Sequence, residues 1–156
     1  FNFIFEDKPL GTLGAISNVK NFENESILIT NADLISDYDL EKFYLSHIEK
    51  NSDLTILTRN YEVKIPFGVI GLSNDKIIDI EEKPKLKYMI NGGIYLMKKK
   101  YMDLVPKNKY FNATDLIKVM IEKKFKINYY NHFGTWNDLG RIEDFDKQKL
   151  KLENKK

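Results

Sequence analysis

Two aspartates stand at positions where a carboxylate could hold a ligand. Asp33 follows the short apolar run at residues 26–30 (SILIT), and Asp138 lies within residues 136–140 (WNDLG). Ligands of α/β sheets bind beyond the carboxyl ends of the strands, and magnesium takes oxygen ligands, usually with only one or two protein carboxylates. Either aspartate could instead cap a turn or a helix. Because they are far apart in the sequence, they can share a metal only if the fold joins them.

A charged segment at residues 81–84 (EEKP) follows a run of β-forming residues. Lys83 could present a point charge to a phosphate, and Glu82 could accept hydrogen bonds from hydroxyl groups. Pro84 would end the preceding strand. A solvated turn is the commoner fate of such a run.

Glycines mark two further segments. Residues 91–95 (NGGIY) place an amide and two glycines in an apolar strand, which indicates either a bulge or the close approach of a ligand. Residues 9–14 (PLGTLG) follow a predicted strand at residues 1–5 and lead into a helix, so their N–H groups could face a ligand. An ordinary strand-to-helix turn explains this second segment equally, and the Gly-Lys-Ser/Thr ending of a P-loop is absent.

Alternating strands and helices must position these residues. The hydrophobic pattern predicts strands, helices and one turn, and it places them as follows: strands at 26–30, 54–58, 67–72, 76–80, 89–97 and 126–131, helices at 39–51, 112–124 and from Asp144 onward, and a turn at 73–75. The unit of strand, helix and strand at residues 26–58 indicates a right-handed βαβ crossover. This order predicts an α/β fold with a mixed sheet.

The composition excludes several classes of protein. The 156 residues suffice for one domain with a core, and the absence of cysteine excludes disulfides and Cys-based zinc sites. A net charge of +2 gives no reason to expect nucleic acid or a membrane surface as a partner. No apolar run is long enough to span a membrane. His47 and His132 are interpreted as structural, and no nucleophile–base pair is readable.

The order of the motifs is more specific than any one of them. From the N-terminus they are EDKPLGTLGA, NAD after an apolar strand, PFGVIGL, IEEKP, NGGIY and WNDLGRIEDF. This series resembles the sugar-1-phosphate nucleotidyltransferases, in particular the mannose-1-phosphate guanylyltransferase and glucose-1-phosphate thymidylyltransferase branch. The resemblance implies a Rossmann-like three-layer α/β fold with a mixed, mainly parallel sheet that lacks its N-terminal strands. Residues 1–150 would be the C-terminal part of a nucleotidyltransferase domain, and residues 151–156 a frayed tail.

The resemblance also implies roles by position. Asp33 and Asp138 match the aspartates that hold Mg²⁺, and Lys83 matches the lysine that contacts the sugar phosphate; these three are the expected catalytic residues. The expected substrate-binding residues fall into two groups. The residues that match the family's sugar contacts are Gly68, Glu82 and Asn91. The residues that match its nucleotide-base loop are Leu10, Gly11 and Thr12. The implied partners are a nucleoside triphosphate and a sugar 1-phosphate. The implied setting is cytoplasmic nucleotide-sugar and polysaccharide biosynthesis, with a homo-oligomer left open.

The sequence departs from the family pattern in three places. The G-x-G-x-R loop that cradles the triphosphate occurs nowhere in the chain, Ala32 stands where many relatives have glycine, and Arg141-Ile142 replaces a common Thr-Pro. We therefore expect that N-terminal strands precede this sequence in the intact enzyme. We also expect the chain alone to have little or no transferase activity.

The family reaction is in-line attack of a sugar-1-phosphate oxygen on the α-phosphorus of a nucleoside triphosphate, with pyrophosphate leaving. It needs positioning and charge neutralisation, and no general base, because the attacking phosphate is already an anion. Two other interpretations stay open. A non-catalytic nucleotide-sugar binding or regulatory domain would keep the sugar side alone. A retaining glycosyltransferase would use an Asp-x-Asp metal motif such as residues 37–39 (DYD), which lie at a predicted helix start.

Overall fold

The computed structural model describes residues 3–20 and 22–140. In chain order its strands and α-helices are β1 (Ser26–Thr30), β2 (Leu34–Ser36), α1 (Leu40–Glu49), β3 (Leu54–Lys64), β4 (Gly68–Ser73), β5 (Lys76–Glu82), β6 (Lys85–Lys98), α2 (Ala113–Glu122), β7 (Ile127–His132) and β8 (Trp136–Asp138). Two short 3₁₀ helices, Gly14–Asn18 and Lys99–Leu104, precede β1 and follow β6. The predicted alternation of strands and helices is confirmed.

A four-stranded sheet in the order β1-β6-β3-β7 forms the centre of the structure. Strand β6 runs antiparallel to both β1 and β3, whereas β3 and β7 pair in parallel. The predicted α/β class with a mixed sheet is confirmed, but the expectation of mainly parallel pairing is corrected, because two of these three strand pairs are antiparallel. The reason is that β3 continues into a hairpin that returns directly as β6, without a crossover helix.

The ribbon formed by β3 and β6 continues into the hairpin of β4 and β5. The turn residues Asn74 and Asp75 have φ values of 46° and 60°, as a type I′ turn requires, and the right-handed twist of two paired strands favours this turn. At the base of the hairpin, Ile65 N donates to Pro84 O at 3.1 Å. The predicted hairpin is therefore confirmed, and it projects from the central ribbon.

Alternate residues of β6 face two separate cores. Tyr95 and Met97 pack in the core that α2 covers, and Ile94 and Leu96 pack in the core that α1 covers through Phe43. Helix α1 begins at an N-cap, Asp39, whose side chain accepts a hydrogen bond from Lys42 N at 3.0 Å. The sheet thus lies between two helical layers, which confirms the three-layer architecture.

Some expectations fall at the ends of the chain. The strand predicted at residues 1–5 is wrong where it can be compared, because residues 3–6 belong to no strand. The helix predicted from Asp144, the Arg141-Ile142 pair and the tail at 151–156 lie outside the described residues. In the part of the chain that is described, no helix has the length and apolar character needed to cross a membrane.

Candidate active site

Strands β2 and β8 bring Asp33 and Asp138 together. The two strands pair antiparallel, with Leu34 opposite Asp138, and Leu139 N donates to Asp33 O at 2.8 Å. A Cβ atom built on Gly140 would lie 2.7 Å from Asp33 Oδ2 and 3.1 Å from Asp138 Oδ1. Gly140 N donates to Asp138 Oδ1 at 2.9 Å. The two carboxylates therefore converge above a glycine that leaves room for both.

A bulge in β6 lies next to this pair of strands. The register pairs Ile56 with Tyr95 and Thr58 with Asn91, so two residue steps on β3 face four steps on β6. Gly93 has φ 73°, a conformation that side chains with a Cβ rarely adopt. The bulge interpretation of the glycine pair is confirmed.

Both aspartate-bearing segments are hydrogen-bonded to this bulge. Asn31 N, two residues before Asp33, donates to Gly93 O at 3.0 Å. Trp136 Nε1, two residues before Asp138, donates to Gly92 O at 2.8 Å. Two consecutive carbonyls of β6 thus fix the spacing of the two carboxylates, which the linear sequence leaves undefined.

A cleft of about 260 Å³ opens beside the bulge. Its lining includes predicted residues of the metal, sugar and base sites together with their neighbours. The lining residues are Thr12, Asn31, Leu34, Asn91, Gly93, Tyr95, Asn112, Ala113, Thr114, Trp136 and Asp138. Asn91 Nδ2 donates to Tyr95 Oη at 2.8 Å, and Gly93 N donates to Asn91 Oδ1 at 3.0 Å. Burial raises the pKa of the Tyr95 hydroxyl, so this group stays protonated. The amide of Asn91 is thereby held in one orientation at the wall of the cleft.

The loop predicted to meet the nucleotide base packs against the start of α2. Gly11 has φ 79°, and a Cβ there would lie 2.8 Å from Asn112 Oδ1. Thr12 Oγ1 accepts a hydrogen bond from Ala113 N at 3.0 Å. The side chain of Leu10 is buried, and its carbonyl accepts from Phe111 N at 2.8 Å. Of the three predicted base-loop residues, Thr12 lines the cleft, while Gly11 and Leu10 shape the loop behind it.

Gly68, Glu82 and Lys83 form a second group at the base of the hairpin. Gly68 pairs with Glu82 across the hairpin, and Lys83 Nζ lies 3.8 Å from Glu82 Oε1 with both side chains largely exposed. Lys83 has φ 49°, and its N–H donates to Phe67 O at 3.2 Å. Within residues 3–20 and 22–140, no hydrogen bond or ion pair connects this group to the residues that line the cleft.

The donor set fits a magnesium ion that also takes oxygens from a substrate. Among the described residues, no cluster of three or more His, Cys, Asp or Glu side chains could hold a metal. Asp33 and Asp138 supply two carboxylates, and magnesium commonly binds one or two protein carboxylates together with water and substrate phosphates. An arrangement of this kind suits a site that completes its coordination only when a phosphate is bound.

One residue that contacts the site was not found by sequence reasoning. Arg59 Nη1 donates to Trp136 O at 2.8 Å, and its guanidinium carbon lies 5.1 Å from the centre of the indole ring. An arginine in a β-forming run carries no local signal of such a role, because its partner lies on a strand 77 residues further along the chain.

The chain matches the sequence profile of the nucleotidyl transferase family over residues 1–155. It belongs to this family. A curated relative, the bifunctional protein GlmU of Methanocaldococcus jannaschii, is 33% identical over 152 residues, which are 91% of this chain and 35% of GlmU. A second, the D-glycero-alpha-D-manno-heptose 1-phosphate guanylyltransferase of Aneurinibacillus thermoaerophilus, is 27% identical and matches 98% of this chain and 67% of its own length.

Solved structures of the family have the same fold. HddC from Yersinia pseudotuberculosis superimposes with a TM-score of 0.70 at 28% identity, over 97% of this chain and 66% of HddC. The structure of HddC complexed with GMP-PN gives a TM-score of 0.66 at 29% identity, with the same coverage. This member of the nucleotidyl transferase family thus spans between about a third and two thirds of the length of these relatives.

Proposed function

We propose that this chain provides the metal-binding and sugar-binding side of a sugar-1-phosphate nucleotidyltransferase. The reaction would join a nucleoside triphosphate and a sugar 1-phosphate into a nucleoside diphosphate sugar and release pyrophosphate. The observation that carries the proposal is the convergence of Asp33 and Asp138 at Gly140, beside a cleft that also contains Thr12 and Asn91. The motif resemblance implies a metal role for Asp33 and Asp138, a sugar contact for Asn91 and a place in the nucleotide-base loop for Thr12.

The residues of this chain would act by position and charge. Asp33 and Asp138 would hold a magnesium ion, which supplies positive charge to the phosphates when it is bound. Thr12 would approach the nucleotide base, and Asn91 would bind a sugar hydroxyl. No residue is needed as a general base, since the attacking oxygen belongs to a phosphate that is already anionic. The reaction depends on holding that oxygen in line with the α-phosphorus and the leaving pyrophosphate.

The hairpin would hold the sugar phosphate. Lys83 presents an exposed ammonium group at a fixed backbone position, and Glu82 presents a carboxylate beside it. Lys83 would contact the phosphate, while Glu82 and the backbone of Gly68 would contact sugar hydroxyls. Since the hairpin group and the cleft are separate in the described contacts, a bound sugar phosphate would bridge them.

The guanylyl form of the reaction has the better support from the relatives. One relative is named a heptose 1-phosphate guanylyltransferase, and a solved relative binds GMP-PN. The thymidylyl form remains the second candidate through the motif resemblance. Assays with GTP and dTTP, each with a panel of sugar 1-phosphates and Mg²⁺, separate the two.

The test of the metal role uses Asp138→Asn in the full-length protein. This variant keeps the shape of the side chain but removes its charge, so nucleotidyl transfer should fall by at least about a hundredfold, because loss of a ligand should cost no less than the roughly ten- to hundredfold loss seen when a residue that orients a ligand is removed. Asp103→Asn is the matched control, because Asp103 is an exposed aspartate of the 3₁₀ helix Lys99–Leu104. Equal turnover in wild type and Asp138→Asn would refute the metal role.

The test of the phosphate role uses Lys83→Ala. The variant should raise the KM for the sugar 1-phosphate and leave the KM for the nucleotide unchanged. Lys87→Ala serves as the control, because Lys87 is an exposed lysine on the next strand. A change in the nucleotide KM alone would contradict the assignment of Lys83 to the sugar side.

A nucleotide-sugar binding domain without catalysis is the second candidate. The 156 residues contain the sugar-side motifs but no G-x-G-x-R pattern, which is compatible with such a domain as well as with a part of the enzyme. We expect the isolated chain to have little or no transferase activity because it lacks this pattern. Calorimetry with nucleotide sugars, combined with a transferase assay of the full-length protein, separates the two candidates. A binding domain would bind the nucleotide sugar without any turnover, whereas the enzyme would show turnover.

A further inference from the structure

Arg59 touches Trp136 in two ways. It occupies the last register position of the parallel β3–β7 pair, opposite His132, and its Nη1 donates to Trp136 O at 2.8 Å. Its guanidinium also lies over the indole ring, 5.1 Å from the ring centre. A planar guanidinium presents a rigid fork of donors and a flat face that stacks on an aromatic ring, whereas an ammonium group is a compact point charge on a flexible stem.

The position of Trp136 determines the position of Asp138. In the described residues, β8 pairs only with β2, so no backbone ladder joins it to the four-stranded sheet. The indole N–H bonds to Gly92 O at 2.8 Å, while the carbonyl of the same residue accepts from Arg59. Alternate residues of a strand share a face, and Trp136 and Asp138 both line the cleft.

The geometry points to Arg59 as a positioning residue for the metal site. It fixes the backbone and the ring of Trp136, and through the short strand β8 it holds the Asp138 carboxylate in the orientation that converges with Asp33. The inference rests on the proposed function, since it concerns the site at which Asp33 and Asp138 would hold a divalent cation. Arg59 itself would touch neither the cation nor the substrates.

Binding of Mn²⁺ to the full-length protein, followed by electron paramagnetic resonance of the unbound ion, tests this role. Arg59→Gln should weaken Mn²⁺ binding about tenfold, the lower range for loss of a group that orients a metal ligand. Turnover should recover when the cation is raised to saturation. Trp136 is the single tryptophan of these 156 residues, and a difference between the emission spectra of the wild type and the variant gives a second readout at the ring.

A matched control exists elsewhere in the molecule. Lys50 Nζ donates to Tyr129 O at 3.4 Å and lies 5.8 Å from the centre of the Tyr129 ring, which repeats the double contact away from the cleft. Lys50→Gln should leave Mn²⁺ affinity unchanged. If loss of any cation–aromatic contact weakened binding through general destabilisation, both variants would behave alike, and that result would overturn the positioning role.

Arg59→Lys keeps the experiment decisive if Arg59→Gln does not fold. Lysine retains the charge and the apolar stem but lacks the planar, rigid fork of donors. The Mn²⁺ affinity of Arg59→Lys should therefore lie below that of the wild type and above that of Arg59→Gln. If a folded Arg59 variant binds Mn²⁺ with wild-type affinity, the positioning role of Arg59 is refuted, whereas the metal site itself is not. Absence of Mn²⁺ binding in the wild-type protein overturns the metal site, and with it the inference.

Discussion

The backbone N–H of Thr12 donates a hydrogen bond to Asn112 Oδ1 at 3.2 Å, although the two residues are separated by 100 positions in the chain. In return, Thr12 Oγ1 accepts from Ala113 N at 3.0 Å. Asn112 is also the N-cap of α2, and its own N–H donates to Asp115 Oδ2 at 2.9 Å. One asparagine therefore joins the start of a helix to the loop that lines the cleft.

Replacing Asn112 by alanine should destabilise the protein. The variant removes the side-chain oxygen that accepts from Thr12 and loses a favourable N-cap, so the free energy of unfolding should fall by about 1 to 2 kcal/mol. Urea denaturation followed by circular dichroism measures this change. Asn24→Ala is the control, because Asn24 is an exposed asparagine in a loop; an equal effect of both variants would argue against the specific role of Asn112.

Adding a methyl group at Gly140 should weaken cation binding. A Cβ there would lie 2.7 Å from Asp33 Oδ2 and 3.1 Å from Asp138 Oδ1, so at least one carboxylate must move. Isothermal titration with Mn²⁺ should show lower affinity in Gly140→Ala, while the thermal midpoint changes little. Gly71→Ala places a methyl group 3.1 Å from Asp79 Cβ on the hairpin, and it should leave the affinity unaltered.

An alanine at Gly93 should affect both stability and the site. Its φ of 73° is unfavourable for a residue with a Cβ, and the added atom would lie 2.9 Å from Asn31 Nδ2. The backbone strain alone should lower the free energy of unfolding by about 1 to 2 kcal/mol. Chemical denaturation gives the size of the loss. Unchanged stability together with unchanged cation affinity would show that the bulge does not fix the segment before Asp33.

His47 should make the protein less stable in mild acid. Its side chain is 1% exposed, and Nδ1 lies 2.8 Å from Thr55 Oγ1. Burial lowers the pKa of His47, and the positive charge of Lys98 lowers it further. The unfolded chain therefore binds a proton at His47 below about pH 6.5 while the folded chain does not, so stability should be complete above that pH and fall as the pH drops towards the folded pKa.

Unfolding free energies measured by urea denaturation between pH 5 and pH 8 test the histidine prediction, with those limits chosen to enclose the ordinary pKa of about 6.5. His47→Gln should flatten the slope in this window. The same substitution at His132, the other histidine of the chain, should leave the contribution of His47 in place. A slope that survives in His47→Gln and vanishes in the His132 variant would refute the assignment.

Local patterns predicted the elements better than their connections. The turn at Asn74 and Asp75 follows from side chains that act on their own backbone, so the sequence contains the whole signal. Strand β6 extends over Lys85–Lys98, beyond the predicted 89–97, because its exposed first half is held by pairing with the distant second half of β3. The predicted strand at 1–5 had apolar residues, but in residues 3–6 no strand pairing stabilises it.

The motif order identified the residues of the site, although contacts over long sequence separations decide how they meet. Asp33 and Asp138 could be named from their neighbours in sequence, but the pairing of β2 with β8 and the carbonyls of Gly92 and Gly93 explain why they converge. Arg59 was missed for the same reason, because its role depends on a partner that no spacing rule connects to it.

The hairpin of β4 and β5 is closed at its base by the hydrogen bond between Ile65 and Pro84, and both of its ends return to the same ribbon. Such an insertion can be exchanged as a unit, because its removal would leave β3 and β6 paired and the cleft intact. If the hairpin makes the contacts to the sugar phosphate, related enzymes can come to prefer different sugars through changes in this hairpin alone. A chimera that exchanges residues 66–83 between relatives would then transfer the preference for the acceptor without altering the use of the nucleotide.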